Sequence, residues 1–214
     1  MIKKNLPKLI ITSLVILIPI IIGLILWSKL PEQMPIHWDI NGNVDGYSSK
    51  TMAVFAMPLF LLFIHWICVF AISADPKKQN INAKTFSLVL WISPLLSLIC
   101  NSLVYASAMG YKLDVSMFMP LFMGILFIVI GNYLPKCKQS YTMGIKLPWT
   151  LDNEENWNKT HRFAGFLWVI GGIIMLITSF LRIVWVPLII TFPLVFIPTI
   201  YSFIIYKKQI KNNK

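Results

Sequence analysis

The sequence predicts an all-α polytopic membrane protein with six transmembrane helices and both termini in the cytoplasm. Three observations carry that prediction. The chain is 57% hydrophobic and only 13% charged, against about 25% charged in an ordinary soluble domain. Six apolar stretches approach the length a bilayer requires, and the basic residues around them are distributed unevenly.

A spanning helix needs roughly 20 apolar residues, because the hydrocarbon core is about 30 Å thick and each residue rises about 1.5 Å. The stretches are Leu9–Trp27, Thr51–Ser73, Thr85–Met109, Ser116–Leu134, Phe163–Leu181 and Ile183–Tyr206. Lipid offers no partner to an unpaired backbone amide, and none of these runs shows the alternation of a barrel strand, so each is read as helix. Basic Met1–Lys8 followed by an apolar run resembles a signal peptide. Lys29-Leu30-Pro31, however, stands where a small-x-small cleavage site belongs, so the first span is read as a retained anchor.

Lys and Arg in short loops stay on the cytoplasmic side during insertion. With the N-terminus inside, fifteen of the 19 basic residues lie on the inner face. They are Lys3, Lys4 and Lys8, then Lys77, Lys78 and Lys84, then Lys136, Lys138, Lys146, Lys159 and Arg162, and finally Lys207, Lys208, Lys211 and Lys214. Only Lys29, Lys50, Lys112 and Arg182 remain outside. The acids divide evenly, so the whole formal charge of +11 sits on one face. Charge spread over four segments beside apolar spans suits anionic lipid headgroups and points away from direct nucleic-acid binding. Cys68 and Cys100 fall within spans and Cys137 in an inner loop, which marks packing residues and not a disulfide framework.

The spans contain no Asp, Glu, Lys or Arg, and His65 is their one group that titrates near neutrality. Intramembrane carboxylates are the usual means of proton- or ion-coupled transport, so their absence argues against an active transporter. His65 and Asn101 are expected to hydrogen-bond neighbouring helices. Pro58, Pro94, Pro187, Pro193 and Pro198 are expected to kink theirs.

Two modules are expected: 1–84, with two spans and an outer loop over 28–50, and 85–214, with four spans and an inner loop over 135–162. Little more than Arg182 joins the last two spans, which makes them an antiparallel hairpin. In the outer loop, Pro31 and Pro35 bias Glu32–Met34 away from helix. Ile36, Trp38 and Ile40 alternate with His37, Asp39 and Asn41, as in a short strand with one apolar face. Asn41-Gly42 supplies a tight turn and Asp45-Gly46 a second, with Trp38 and Tyr47 at the membrane interface. His37, Asp39 and Asp45 make too small a donor set for zinc. They are read instead as turn-capping aspartates and a histidine paired with a carboxylate. No metal, cofactor or catalytic residue is assigned.

In the inner loop, Asp152 and Glu155 fit a capping box, with Glu154 and Glu155 favourably near a helix N-terminus. Trp157, Thr160, His161 and Ala164 recur at helical spacing and lead into the fifth span. A short interfacial helix anchored by Trp149 and Trp157 is expected. Anchoring at the headgroups and binding a partner are both open to this loop.

The segment Pro35-Ile36-His37-Trp38-Asp39, followed by Asn41-Gly42, Asp45 and Tyr47-Ser48-Ser49-Lys50, resembles the extracytoplasmic motif of the SdpI family. Gly131-Asn132, Gly144-Ile145-Lys146, Pro148-Trp149-Thr150-Leu151, Glu154-Glu155, Trp157 and Thr160-His161-Arg162 resemble its second motif. Lys146 stands where that family usually has Arg, and Gln139-Ser140 where it commonly has Asn. The resemblance implies a non-enzymatic immunity protein of the bacterial cell membrane that protects against a secreted toxic peptide. In the family's best-known branch it also implies a receptor that holds a transcriptional repressor at the membrane. Carried onto this chain, the toxin-binding residues are His37, Trp38, Asp39, Asn41, Gly42, Asp45 and Tyr47. The partner-binding residues are Lys146, Pro148, Trp149, Thr150, Glu155, Trp157, His161 and Arg162. Two other readings stand beside this one: a membrane enzyme using His37 with Asp39 or Asp45, and a passive permease or structural subunit.

Overall fold

The computed structural model describes residues 2–212; Met1 and Lys214, the latter counted above with the inner charges, lie outside the described residues. The elements are α1 (Leu6–Ile25), β1 (Gln33–Trp38), β2 (Val44–Ser49), α2 (Lys50–Ala74), α3 (Ala83–Ala108), α4 (Val115–Tyr133), α5 (Pro148–Asp152), α6 (Glu154–Phe180) and α7 (Val186–Asn212). Six of the helices are long and apolar enough to cross a membrane, in the six places the sequence predicts. Large apolar side chains such as Phe60, Phe63, Phe166, Ile189 and Phe192 are exposed along them, as expected of surfaces solvated by lipid rather than by protein.

The chain divides into two compact units. The first holds α1, the β1–β2 hairpin, α2 and α3. Pro19 lies inside α1, where a proline removes one N–H and strains the turn before it. The third helix bonds to α1 beside this proline. Ser97 Oγ donates to the Ile16 carbonyl at 2.7 Å and the Tyr105 hydroxyl to the Pro19 carbonyl at 2.8 Å. Gly23 lets the helices close further, since a Cβ there would lie 2.7 Å from both the Tyr105 hydroxyl and a Val54 methyl. His65 is buried with its Nε2 3.2 Å from Thr12 Oγ1 on α1. That is the interhelical role read from the sequence. The expected module boundary at 84/85 separates α3 from its partners. Ser97 and Tyr105 place α3 with α1 and α2 instead.

The second unit comprises 75–82 and 116–214. Here α4 and α6 meet through glycines seven residues apart on each helix. A Cβ on Gly172 would lie 2.6 Å from the Gly124 carbonyl, and one on Gly165 would lie 2.6 Å from the Gly131 carbonyl. Association in lipid has no hydrophobic drive, so such close backbone approach is what binds the helices. Ser179 Oγ donates to the Met117 carbonyl at 2.7 Å, in the turn before Pro120. Trp168 Nε1 donates at 2.8 Å to the Leu194 carbonyl, the group that Pro198 leaves without its helical donor.

The outer loop is a two-stranded antiparallel sheet rather than a single strand. Gly42, at φ +84°, makes the expected Asn41-Gly42 turn. The second expected turn, at Asp45-Gly46, is instead part of β2. Gly46 faces His37, where a Cβ would come within 2.9 Å of the His37 Cβ. The predicted apolar face of Ile36, Trp38 and Ile40 is also corrected. Register irregularities between Pro35 and Trp38 break the alternation, Ile36 is exposed, and Met34 is the fully buried anchor. Met34 packs with Leu30, Ala53, Val54, Val104 and Tyr105.

The glycine contact gives a stability test. Gly172→Val should cost about 1–3 kcal/mol by overpacking and lower the melting temperature in detergent, whereas Ile173→Ala, on the exposed side of the same helix, should leave it nearly unchanged. Equal melting of both variants would mean that α4 and α6 do not meet at these glycines.

Candidate functional site

Two candidate surfaces exist, one in each unit. In the hairpin, Asp39 organises the turn. Its Oδ1 accepts from the Asn41 and Asn43 amides at 2.9 and 2.8 Å, and its Oδ2 from Asn43 Nδ2 at 3.2 Å. The Asn43 backbone N–H, then its side chain, hold the Asp39 carboxyl below the usual carboxylate range. Asp45 instead pairs with His37, Nδ1 to Oδ1 at 2.5 Å. The structure therefore supports the reading of a capping aspartate and a paired histidine, although Asp45 caps no turn. Among the described residues no group of three or more metal-binding side chains forms. His37, Asn41, Asp45 and Tyr47 are exposed, while Trp38 is half-buried and leans on the Met34 cluster.

Lys50 belongs with these residues in the structure, although it was not assigned to the site. It is buried, with its Nζ 2.8 Å from Glu32 Oε1, 3.2 Å from the Trp27 carbonyl and 5.3 Å from the centre of the Trp27 ring. The Lys50 N–H also donates to the Glu32 carbonyl at 2.9 Å. One side chain thus joins the end of α1, the start of the hairpin and the start of α2. Its signal in the sequence was a lysine at the boundary of an apolar span, which the charge count recorded only as a charge.

The second surface is built around Asp75, which follows α2 and is buried. Its Oδ2 accepts from the amides of Tyr141 and Thr142 at 3.0 and 2.9 Å and from Thr142 Oγ1 at 2.6 Å; its Oδ1 accepts from the Lys77 amide at 2.8 Å. Burial pushes its carboxyl upward, yet the donors from Thr142, Lys77 and Tyr141 outweigh that and hold it below the usual range. In a six-span chain the second and fourth connections share a face of the membrane, and these contacts join those two connections. Gln139 extends the bracing: its Nε2 donates to the Thr150 and Leu151 carbonyls, both at 2.8 Å, and its Oε1 accepts from Lys77 Nζ at 2.5 Å.

Trp157 and His161 form the centre of the 135–162 segment. Their rings stack at 4.0 Å and both are buried. His161 Nε2 accepts the Ile145 N–H at 2.8 Å, which assigns the ring proton to Nδ1, 2.8 Å from the Trp157 carbonyl. Trp157 Nε1 donates to the Cys137 carbonyl at 2.8 Å. Gly144, at φ +105°, crosses this stack so closely that a Cβ would lie 2.4 Å from His161 Nε2. The expectation that Trp157 anchors at the headgroups is therefore corrected: it is an interior residue. Trp149, on α5, is half-buried, donates to Ser202 Oγ at 2.6 Å and stacks on Tyr206. Ser202 Oγ also meets Asn156 Oδ1 at 3.1 Å, and Thr160 Oγ1 donates to the same oxygen at 3.0 Å.

The helix start differs as well. Asn153, not Asp152, caps α6, its side chain accepting from the Asn156 amide at 2.8 Å. Glu155, expected to complete the capping box, reaches forward to Lys159 at 2.5 Å. Of the eight residues carried onto this loop, Thr150, Trp157 and His161 are buried, whereas Lys146, Pro148, Glu155 and Arg162 are exposed.

The hairpin and the 136–162 part of the second surface fall within segments that match family models. Residues 136–205 match the SdpI/YfhL protein family, and residues 14–62 match a domain of unknown function, DUF1648. The "Immunity protein SdpI" of Bacillus subtilis (strain 168) is 26% identical to this chain over 214 residues, covering 96% of it and 97% of the relative. This chain is similar to proteins of the SdpI family. No solved structure matches it. The 14–62 match spans the hairpin and both flanking helices in part, and the SdpI match holds nearly the whole Trp157–His161 segment. Together with six membrane-crossing helices, the similarity makes this a multi-pass bacterial membrane protein.

Removing the Asp75 carboxylate should release the loop it holds. Asp75→Ala is expected to cost about 2–3 kcal/mol, because four charge-assisted bonds are lost, three of them from backbone amides. Hydrogen exchange over 139–146 should then accelerate strongly. The wild type should show the same opening in acid: a depressed folded-state pKa contributes stability above the usual carboxylate range and loses it as pH falls through the depressed value. Unchanged exchange in Asp75→Ala would remove Asp75 from this role.

Proposed function

We propose that this chain is an integral membrane immunity protein that protects its bacterium from a secreted toxic peptide, with the hairpin as the surface that meets the peptide. The observation that supports this most is similarity running through 96% of the chain to a protein named for immunity. The hairpin fits the role. A rigid turn, a paired imidazole and an exposed phenol make a shaped polar surface on a fixed support, and loops on rigid scaffolds are where recognition is concentrated. Asp39 is committed to the turn and Asp45 to His37, an arrangement that shapes a binding surface rather than leaving a free general base. We read the activity as binding and not catalysis.

The charge bias supports an outer hairpin and an inner 135–162 segment with cytoplasmic termini. On the inner face, exposed Lys146, Pro148, Glu155 and Arg162 are the residues offered to a cytoplasmic partner, such as the transcriptional repressor of the family's best-known branch. Buried Thr150, Trp157 and His161 fix the shape on which these are presented.

Two measurements test this reading. In a background with Cys68, Cys100 and Cys137 replaced by Ser, Asn41→Cys should react with an impermeant thiol reagent in whole cells, and Asn158→Cys only after permeabilisation. The reverse pattern would invert the topology. In a toxin-sensitive strain at matched membrane levels, wild type should raise survival. His37→Ala and Tyr47→Ala should reduce it, each by about 2 kcal/mol of binding, roughly thirty-fold in affinity. Full protection by both variants would move the determinant elsewhere, and no protection by wild type would overturn the immunity reading.

A further inference from the structure

We propose that the outer edge of β2 takes up an extended segment of a cationic peptide as a third strand. The inference rests on the immunity reading for its biological partner and deepens it by naming how that partner is held.

The hydrogen-bond pattern assigns the edge. Lys50 N–H donates to the Glu32 carbonyl directly opposite, and the partners Gln33–Ser49, Met34–Ser48 and Pro35–Tyr47 continue the same register. Opposed residues in an antiparallel pair alternate between exchanging hydrogen bonds and pointing those groups outward. Met34–Ser48 is therefore a bonded pair, whereas Pro35–Tyr47 and Gln33–Ser49 direct their backbone groups away from each other. Pro35, which has no N–H to give, fits a non-bonded site.

The two outer edges then differ. On β1 the outward positions are Gln33, exposed, and Pro35, which is buried and has no N–H, on a strand packed against α3. That edge offers one outward N–H where β2 offers two. On β2 the outward N–H groups are those of Tyr47 and Ser49, and neither has a backbone partner among the described residues. Natural edge strands are usually protected by Lys, by Pro, by covering or by extreme shortness. β2, six residues reading Val-Asp-Gly-Tyr-Ser-Ser, has no Lys and no Pro. An open edge of this kind is the receptor half of strand addition, in which main-chain bonds give affinity and alternate side chains give selectivity.

Charge selects the occupant. Residues 31–49 carry Glu32, Asp39 and Asp45 and no Lys or Arg, although the chain as a whole is +11. Glu32 is answered by Lys50; Asp39 is held by the neutral amides of the turn and Asp45, within β2 itself, by His37, and neither carboxylate is paired with a Lys or Arg among the described residues. Tyr47, 61% exposed on the same strand, adds an aromatic face of the kind that attracts cations.

The test uses the full chain in phosphatidylcholine nanodiscs and a labelled hexapeptide of alternating lysine and valine, with two comparison peptides: glutamate in place of lysine, and N-methyl groups on alternate amides. Wild type should bind the lysine peptide at least tenfold more tightly than either comparison peptide. Tyr47→Pro deletes an outward N–H and should lose at least tenfold. Tyr47→Ala keeps that N–H and should lose less than Tyr47→Pro. Ser49→Pro against Ser49→Ala repeats the comparison with a small side chain, and a melting temperature like that of wild type shows that each variant is folded. Equal binding of the N-methylated peptide, equal loss in the Pro and Ala variants, or no binding of the lysine peptide would overturn the proposal. So would dimerisation abolished by Tyr47→Pro, which would assign the edge to a second copy of this chain. The survival assay is read separately. Protection intact in Tyr47→Pro but lost in His37→Ala rejects the strand addition and keeps immunity, whereas absent protection in wild type rejects immunity and leaves the peptide binding to stand or fall alone.

Discussion

In hydrocarbon every backbone N–H and C=O must find its partner within the protein, and this chain places prolines inside helices where that rule is hardest to satisfy. Its solution recurs. The Ile16 and Met117 carbonyls each lie three residues before a proline, and each accepts a serine hydroxyl from another helix at 2.7 Å. The Leu194 carbonyl, four residues before Pro198, accepts the Trp168 indole at 2.8 Å. At these three of the six prolines inside helices, a nearby carbonyl thus carries a bond between helices, and at Pro198 it is the carbonyl left without its helical donor. With the glycine crossings, these bonds supply an association energy that apolar contact in lipid cannot.

That logic explains what was legible in the sequence. Span number and approximate placement follow from run length alone, because the bilayer requires a minimum length of every crossing helix, whereas α6 begins at Glu154, nine residues before the apolar run. Turn chemistry at Asn41-Gly42 was equally readable, since φ +84° is a conformation glycine adopts freely. Asp45-Gly46 carries the same pair type and was misread, because its glycine answers a cross-strand contact with His37 that no local rule contains. Pairing across sequence was the general blind spot. Asp75 reads as an ordinary loop acid until Tyr141 and Thr142, more than sixty residues later, are brought to it. Asn156 and Ser202 are likewise unremarkable apart and a buried bonded pair together.

Trp157 shows why an aromatic near a membrane boundary is a poor guide by itself. Tryptophan favours the headgroup region because one end of it is apolar and the other polar. The same property suits the interior of a loop rich in carbonyls, where its N–H meets the Cys137 carbonyl and its face meets His161. Composition cannot separate these outcomes. Gly144 can: a residue at φ +105° passing over a ring stack is needed only where the backbone must cross closely packed side chains.

The two surfaces follow opposite designs, and the difference bears on what each can do. The 135–162 segment spends its donors internally. Asp75, ahead of the segment, accepts four bonds, the Gln139 side chain donates two and accepts one, and His161 accepts at Nε2 and donates at Nδ1, so its form is specified before any partner arrives. Recognition there falls to exposed side chains on a fixed frame, which costs little ordering on binding. The hairpin is anchored on one strand only. Met34 and Pro35 of β1 are buried, whereas no residue of β2 is. Lys50, itself buried, ends β2 in an ion pair with exposed Glu32 and fixes the strand's position without covering its edge. A strand held at its end and along one side, with main-chain donors on the other, is preorganised for the partner that an isolated hairpin would have to order itself to meet.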